Sequence, residues 1–399
     1  MRRISFVVLM LAAIVGFPSP SQAQQFAFLD RSLKDVDAWV REDTNDARRI
    51  YVLAIRHWRE HHWRQVDSLL RLALQIEPRY TDPYLALYFL PYARRPSLWD
   101  DEGRGHVPDS WKPILDEAHG FYQRAMRIDP MVNLQIMSVA FEIEEPTVAD
   151  VGARDWLVYQ RYYAWFVDLG FGRYRSARDR LRKLGQQEYD EAKHPDRVPD
   201  YVLWYRGLAE AHTLQFDSAL TNFRVLLDRS LKATHRDEII HVPLQDNEYR
   251  FVLATLHDYA GHTDSAVALY QEALEHDLGL VMAHRYLAGI YDRAGRPADV
   301  LLELRRAAEI STDDPTAPFE LATALFNAGF VEEAKEPLRN AVTMNARYAP
   351  PYYLLGRVAE DDGHPVEARE QYTRFLALAP LRLEVLRADA EQRLGKLPK

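Results

Sequence analysis

The feature that most constrains this chain is a pattern repeated every 34 residues between residues 247 and 382. One recurring position is a glycine, filled by Gly261, Gly295, Gly329 and Gly363. A second is a leucine followed by a small residue, filled by Leu253, Leu287, Leu321 and Leu355. The third is a small or β-branched residue, filled by Ala266, Val300, Ala334 and Ala368, and a bulky residue follows each of these four places later. The segment therefore contains four tandem copies of one structural unit.

Each unit has the spacing of two helices joined by a tight turn. Apolar and small residues recur at i, i+3, i+4 and i+7, a glycine interrupts them, and a second helical run follows. Small residues on both helices allow the helix axes to approach closely, while leucine and tyrosine fill the adjacent space. Because one hairpin buries only part of its apolar surface, neighbouring hairpins must stack on it. The pattern predicts an all-α superhelix of stacked hairpins.

These residues resemble the tetratricopeptide repeat (TPR) family, which has an aromatic, Leu-Gly and Tyr on the first helix and Ala, an aromatic and Ala on the second. The best-matching residues are Tyr352, Leu355, Gly356, Gly363, Ala368, Tyr372 and Pro380. The middle units depart from the family pattern at the closing proline, where Leu278, Thr312 and Ala346 stand. The resemblance implies a right-handed α-solenoid whose first helices line a concave face.

Degenerate copies of the unit precede the regular ones. Residues 24–46 are expected to form an N-terminal lead-in or capping helix, with the cluster from Asp43 to Asp46 capping the next helix. Residues 47–246 are interpreted as degenerate repeats with insertions near 94–111, 131–157 and 228–246. The first insertion is expected to be a surface loop, the second a divergent helix and linker, and the third partly extended. Residues 383–399 are predicted to form a capping helix, with Leu383, Val385, Leu386 and Leu394 on its buried side.

The first 23 residues have the features of a secretory signal peptide. Arg2 and Arg3 precede an apolar run, and the sequence Ser21-Gln22-Ala23 is a cleavage site of the small-x-small type. Cleavage after Ala23 would change the formal net charge from −9 to −11, since two arginines are lost, and a negative charge argues against nucleic-acid binding. We expect export to a bacterial periplasm without a stable membrane span. The alternative is an uncleaved anchor, although prolines follow the apolar run.

No complete catalytic signature is present, and the chain has no cysteine, so we predict a non-enzymatic protein without a cofactor. Three clusters could be binding sites or could have purely structural roles. A metal could bind at His57, His61 and His62, which otherwise pack at a helix end and turn. Calcium could bind at Asp100, Asp101, Glu102 and Asp109, which otherwise are solvated loop acids. An anionic partner could bind at Arg173, Arg175, Arg178, Arg182 and Lys183, which otherwise are an ordinary charged face.

The first helices supply the predicted partner-binding groove, since this face is concave in TPR-like arrays. The candidate groove residues are Tyr51, Trp58, Tyr159, Tyr162, Phe166, Tyr201, Trp204, Phe251, Arg285 and Tyr353. The later inner positions are mixed and polar, including Asp292, Arg293, Asn327 and Arg357. Rigid aromatic side chains suit the burial of a partner segment.

The sequence therefore predicts a scaffold that binds a protein or peptide segment, with a cell-envelope assembly as a candidate setting. Other readings stay open. Tyrosine and tryptophan side chains could recognise a glycan or other polymer, and the histidines could serve a metal-dependent hydrolase. Alternatively, the insertions at 131–157 and 229–246 could fill the groove. The partner and the oligomeric state do not follow from the residues.

Overall fold

A computed structural model describes residues 31–103, 105–129, 139, 164–170, 172–234 and 246–398. Over these ranges the secondary structure is helical, with no strand, and successive helices pack in pairs. This confirms the predicted all-α fold of stacked helical hairpins. The predicted signal peptide lies outside the described residues. Within the described ranges, no helix combines the length and apolar character needed to cross a membrane.

The chain divides into two compact units, and the first combines both ends of the sequence: residues up to Phe121 and residues from Leu287 onward. Its N-terminal helices are α1 (Leu33–Glu42), α2 (Ala47–Arg59), α3 (Trp63–Ile76), α4 (Thr81–Arg94), α5 (Leu98–Gly103) and the start of α6 (Lys112–Ile128). As expected from the Asp43–Asp46 cluster, the Asp46 carboxylate caps α2 by accepting from the backbone N–H groups of Arg48 and Arg49.

The C-terminal part of the first unit contains the regular hairpins. Its helices are the end of α13 (Val281–Arg293), α14 (Pro297–Ile310), α15 (Thr316–Asn327), α16 (Val331–Met344), α17 (Pro350–Asp361), α18 (Pro365–Leu378) and α19 (Glu384–Lys396). In the last hairpin, a Cβ on Gly356 would lie 2.6 Å from Tyr372 Cε1, so glycine permits the close approach of α17 and α18. Helix α19 buries Ala390 completely, but Val385 is 77% exposed, and the prediction for Val385 is wrong.

The second unit spans residues 122–286. Its described helices are the end of α6, α7 (Ala164–Gly170), α8 (Tyr174–Glu188), α9 (Asp200–His212), α10 (Phe216–Leu231), α11 (Asp246–Tyr259), α12 (Thr263–His276) and the start of α13. A Cβ on Gly207 in α9 would lie 2.7 Å from Phe223 Cε2 in α10, which repeats the packing rule of the regular hairpins. The predicted insertions at 131–157 and 228–246 lie largely outside the described residues.

In several described turns between paired helices, one residue has the left-handed backbone conformation. The φ angle of this residue is 81° at Gly261, 67° at Gly295, 87° at Gly329 and 73° at Gly363. In two degenerate hairpins the same turn has a φ of 58° at His61 and 61° at Leu214. These two degenerate hairpins therefore have the turn geometry without the glycine that favours it.

The insertion near 94–111 is more structured than predicted. It contains α5, and Leu98 is fully buried against Tyr92 and Leu115, with Val107 and Trp111 packed beside them. The expectation of a surface loop is wrong here because the apolar side chains of the insertion are sufficient to form a small core against α4 and α6.

The two ends of the sequence are joined directly within the first unit. Five side-chain contacts, which we call the end contact, link residues of α1–α4 and their turns to the turns of the last hairpins. They are Leu381 N to Asp43 Oδ2 at 2.7 Å, Asn45 Nδ2 to Ala377 O at 2.9 Å, Asn345 Nδ2 to Gln75 O at 2.7 Å, Arg382 Nη2 to Glu77 Oε2 at 2.6 Å, and Arg79 Nε to Asp314 Oδ2 at 2.8 Å. A simple repeat array has contacts only between neighbours. The end contact therefore adds long-range coupling to this unit.

Candidate functional site

Most of the predicted groove residues are buried inside the fold. Their exposed fractions are 1% for Tyr51, 3% for Trp58, 2% for Tyr201, 0% for Trp204, 1% for Phe251, 6% for Arg285 and 7% for Tyr353. The predicted exposure of these seven side chains is therefore wrong. Phe166 is half-buried. Tyr159 and Tyr162 lie outside the described residues, so their assignment stays a prediction.

Contacts with neighbouring helices explain this burial. The Trp58 ring meets Trp63 across the turn of its own hairpin, with ring centroids 5.7 Å apart. The Trp204 ring contacts Phe223 in its own hairpin at 5.0 Å and Tyr249 in the next at 5.9 Å. Helical periodicity indicates which face these residues share, but it does not reveal what covers that face. They form the core between hairpins and are not available as an open wall.

In the last hairpin, the capping helix α19 covers the inner face. The Tyr353 hydroxyl donates to Asp389 Oδ2 at 2.6 Å, and the Arg393 guanidinium bridges Asp389 at 2.6 Å and Glu360 at 2.8 Å. The Tyr372 hydroxyl donates to Glu360 at 2.7 Å. Burial raises the pKa of Tyr353, and the hydrogen bond to Asp389 raises it further. This polar cluster fastens α19 to the array and occupies the position predicted for a partner.

An exposed surface lies at the ends of the inner helices of the first unit. Arg293, Asn327 and Asp361 are the last residues of α13, α15 and α17, follow one another at 34-residue spacing, and are all exposed. We call these three residues the polar row. Beside it, the Arg357 guanidinium lies over the Phe326 ring, 5.5 Å from its centroid. The stacked repeats therefore present three different polar groups at equivalent positions.

The chemistry of the polar row suits recognition of an extended polar partner. Arginine offers donors, aspartate offers acceptors, and asparagine offers both, so the row can pair with the N–H and C=O groups of a peptide. Arg293 also lies at a helix C-terminus, where a cation is favoured by the helix dipole. Arg293 and Asn327 were among the polar inner positions identified from the sequence. Asp361 was missed, although the same 34-residue register indicates it.

The histidine cluster forms a structural pair at the turn of the first hairpin. His57 Nδ1 lies 3.1 Å from His62 Nδ1, and the His61 ring packs on Trp63 with centroids 5.1 Å apart. Burial and then His62 lower the pKa of His57, while Glu60 opposes them. A second pair, of His257 and His262, has the same geometry at 3.2 Å. In the described part of the chain, no three or more His, Asp or Glu side chains converge as metal ligands would.

The predicted basic stripe is paired with acidic groups of the second unit. Arg182 Nη2 lies 2.8 Å from Glu210 Oε1, Arg178 Nη2 lies 2.8 Å from Asp179 Oδ1, and Arg173 bonds to Asp168. Three of the five basic side chains are therefore engaged within the unit. This arrangement favours the structural reading of the stripe.

Three acids of the insertion, Asp101, Glu102 and Asp109, also have side-chain partners. Glu102 accepts a hydrogen bond from the Tyr92 hydroxyl at 2.7 Å, and its other oxygen lies 3.2 Å from His119 Nε2. Burial raises the pKa of Tyr92, and the bond to Glu102 adds to that shift. Asp101 pairs with Arg95, and Asp109 pairs with Lys112. The contacts of Glu102 and Asp109 fasten the insertion to α4 and α6, so Asp101, Glu102 and Asp109 have structural partners at the predicted calcium site.

The fold and the exposed surface define an all-α protein of the helical-hairpin repeat class. Among solved structures, the chain is similar to MamA, at 24% identity over 36% of this chain and 91% of MamA, with a TM-score of 0.30. It is similar to the C-terminal part of a TPR repeat-containing protein from Cytophaga hutchinsonii, at 14% identity over 54% of this chain and 77% of that one, with a TM-score of 0.42.

A third similar structure is YrrB, described as a TPR protein with an unusual peptide-binding site, at 14% identity over 51% of this chain and 97% of YrrB, with a TM-score of 0.37. No protein-family model and no curated protein matches the chain. The similarities concern the repeat fold.

Proposed function

We propose that this chain is an exported TPR-like interaction protein that binds a segment of another protein along the polar row of its first unit. The observation that carries the proposal is the exposure of Arg293, Asn327 and Asp361 at equivalent positions of three successive hairpins. Because equivalent positions of successive hairpins have different polar side chains, the surface is regular and can distinguish between partner sequences. The function requires no reaction.

The polar row is a better candidate than the aromatic groove for a physical reason. Binding through Trp58 or Trp204 would require the protein to separate packed hairpins, since these side chains are 3% and 0% exposed. The same burial removes support for glycan recognition, which depends on accessible tyrosine and tryptophan rings. Residues of the polar row need no such rearrangement.

Export is the second part of the proposal and is supported by the N-terminal sequence. The mature protein should begin at Gln24. Expression of the full chain in a Gram-negative host, followed by N-terminal sequencing of the periplasmic fraction, tests this. A full-length chain retained in the membrane fraction would favour the uncleaved anchor instead.

Site-specific photo-crosslinking tests the binding surface. A photoreactive amino acid replaces Asn327 in the polar row or, as the matched control, Thr343, which is exposed on the outer helix α16. We expect a discrete protein adduct from position 327 and none from position 343. The double change Arg293→Glu and Asp361→Lys inverts the charges of the row and should remove the adduct at 327. Equal adducts at both positions would contradict the proposal.

A further inference from the structure

The turns of two hairpins bring two histidines together in the same way. In the first histidine pair, His57 near the end of α2 faces His62 at the start of α3, with 3.1 Å between their Nδ1 atoms. In the second histidine pair, His257 of α11 faces His262 at the start of α12, with 3.2 Å between the same atoms. Ring centroids lie 5.3 Å and 5.4 Å apart, at interplanar angles of 55° and 52°. Because the two pairs share one geometry, their surroundings can be compared directly.

The backbone of the turn fixes this geometry. His62 N donates to His57 O at 2.9 Å, and His262 N donates to His257 O at 2.8 Å. The left-handed residue of the turn lies directly before the second histidine of each pair. A hydrogen bond that spans five residues in this way is the Schellman arrangement at a helix C-terminus, and it brings the side chains at its two ends into contact. Each pair is therefore held in place by the main chain.

The distance between the Nδ1 atoms matches the spacing of two ligands on one metal ion. Imidazole nitrogens bind zinc at about 2.0–2.1 Å, so two of them on one ion lie about 2.8–3.4 Å apart for angles between a right angle and the tetrahedral angle. The distances of 3.1 Å and 3.2 Å fall in this range. Two neutral imidazoles in this arrangement can bind one divalent transition metal ion in place of the proton between them.

The second histidine pair is prevented from binding a metal by Arg224 of α10. A guanidinium only donates hydrogen bonds, and Arg224 Nη2 lies 3.3 Å from His257 Nε2. Neutral His257 therefore accepts at Nε2 and carries its proton on Nδ1, which is the atom that would have to bind the metal. The positive charge of Arg224 also repels a cation at this place.

The first histidine pair has acidic neighbours instead. Glu60 Oε2 lies 3.8 Å from His62 Nδ1 on the same turn, and Asp37 of α1 also acts on His57 through its negative charge. Arg56 offsets part of this charge, since its Nη2 lies 3.8 Å from the other Glu60 oxygen. The side chains of His62 and Glu60 are 45% and 38% exposed, so an ion can reach the pair from solvent. The electrostatic surroundings thus favour a cation at the first pair.

We propose that the first histidine pair is a binding site for a divalent transition metal ion, with His57 Nδ1 and His62 Nδ1 as its protein ligands, and that the second pair is not. His61 takes no part, because its ring packs on Trp63. Two protein ligands leave the remaining coordination positions to water, with the Glu60 carboxylate beside them. The metal would join α2 to α3 across their turn. This inference is independent of partner binding at the polar row.

Copper(II) is the probe, because nitrogen ligands bind it most tightly among the divalent first-row metals. Isothermal titration calorimetry of the purified protein, with glycine as a competing ligand, compares His62→Asn with the matched control His262→Asn. Asparagine is favoured at a helix start, so both variants should keep their turns. We expect His62→Asn to weaken the tightest copper site at least about tenfold. His262→Asn should bind copper as the wild type does.

A third variant tests why the two pairs differ. Arg224→Ala removes the donor that fixes the proton of His257 on Nδ1, together with its positive charge. We expect this variant to bind a second equivalent of copper with an affinity within about tenfold of the first. Circular dichroism checks that each variant is folded. Equal losses in the two histidine variants, an unchanged affinity in His62→Asn, or no second site in folded Arg224→Ala would each overturn the inference.

Electron paramagnetic resonance provides a readout that does not depend on any variant at the first pair. At one equivalent of copper, the wild type should show two nitrogen ligands, and His262→Asn should give the same spectrum. If His62→Asn does not fold, these two spectra decide the question. A wild-type spectrum without two nitrogen ligands, or a spectrum that changes in His262→Asn, would overturn the inference.

Discussion

The α9–α10 hairpin of the second unit and the α17–α18 hairpin of the first unit share a packing rule but differ in what surrounds it. In each, a glycine on the first helix lies against a ring on the second: Gly207 against Phe223, and Gly356 against Tyr372. Around Gly356 the core is mainly apolar and tyrosine-rich. Around Gly207 it contains buried charged groups. The close glycine contact sets the distance between helices, and the remaining core can then be polar or apolar.

The polar core of the α9–α10 hairpin is a connected network. Asn222 donates to Glu210 at 2.7 Å and accepts from Arg206 at 2.7 Å, while Arg206 also pairs with Glu191 at 2.7 Å. Glu210 is 2% exposed and Arg206 is 6% exposed. Such networks are stabilising only when their members are satisfied together, and the loss of one partner is costly. The two hairpins should therefore respond differently to mutation and to pH.

The largest expected effect is the loss of a buried ion pair. Asp200 Oδ1 lies 2.5 Å from Arg229 Nη1, and the two side chains are 1% and 8% exposed. Asp200→Ala leaves the guanidinium buried without this carboxylate, which should cost about 3–5 kcal/mol in the free energy of unfolding. Urea unfolding followed by circular dichroism measures the change. Asp228→Ala, which breaks the exposed pair with Lys232, should cost less than about 0.5 kcal/mol.

The second effect is a difference in how the stability of the α9 end and of the α13 end depends on pH. His212 ends α9 as Arg293 ends α13, but its ring is stacked on Tyr174 with centroids 4.2 Å apart. Burial lowers the pKa of His212 to about 4. Because the folded state favours the neutral ring, the full contribution of His212 to the free energy of unfolding is present above pH 6.5. About 3 kcal/mol of it is lost as the pH falls toward 4.

The variant His212→Phe keeps the ring stack and cannot be protonated. Unfolding free energies measured at pH 7.5, 5.5 and 4.5 should fall less steeply for this variant than for the wild type. Parallel curves for the two proteins would show that His212 titrates normally, and would remove this contrast between the helix ends of the two units.

The third effect tests the packing rule that both hairpins share. Gly356→Ala adds a methyl group 2.6 Å from Tyr372 Cε1, so the ring must move, and overpacking should cost about 1–3 kcal/mol. Gly395→Ala is the matched control, because no described atom lies within 4 Å of its added Cβ, and it should stabilise α19 by about 0.5 kcal/mol. Thermal unfolding distinguishes them. Equal melting temperatures would indicate that Tyr372 accommodates the added methyl group without cost, so the close approach of α17 and α18 does not require glycine.

The smallest effect concerns the left-handed turn residue. Leu214 has a φ of 61° and is 63% exposed, so glycine relieves strain there with little loss of burial. Leu214→Gly should stabilise the protein by about 1 kcal/mol, and the reverse change Gly295→Leu should destabilise it by a similar amount. Differential scanning calorimetry compares the two. A destabilised Leu214→Gly variant would show that the leucine has a packing role.

The sequence predicts the hairpins well because their determinants are local. The glycine at each turn and the paired small and bulky residues recur at 34-residue spacing, and the fold follows from them. Burial of Asp200 with Arg229 is not predictable in this way, since charged residues in isolation resemble surface residues. Trp58 and Trp204 were assigned to the correct helices but to an open face, because helical periodicity does not identify the covering element.

The contact between Arg79 and Asp314 is also not predictable from the sequence pattern. Arg79 and Asp314 are 235 residues apart, and nothing in the period of either hairpin relates them. Within the polar row, by contrast, the register is sufficient to find each member. The local repeat thus predicts sites that run along the array, whereas sites made by distant residues require the structure.

The end contact has a consequence for biosynthesis. Its hydrogen-bonding partners are separated by 235 to 338 residues, so the N-terminal helices of the first unit must wait for the synthesis of these later residues before their final neighbours exist. The hairpins in the middle of the chain need only contacts between adjacent segments and can fold earlier. Contacts between segments so far apart in the sequence form slowly. Completion of the first unit therefore depends on its C-terminal helices, and a nascent chain stalled before Asp314 would lack all five contacts of the end contact.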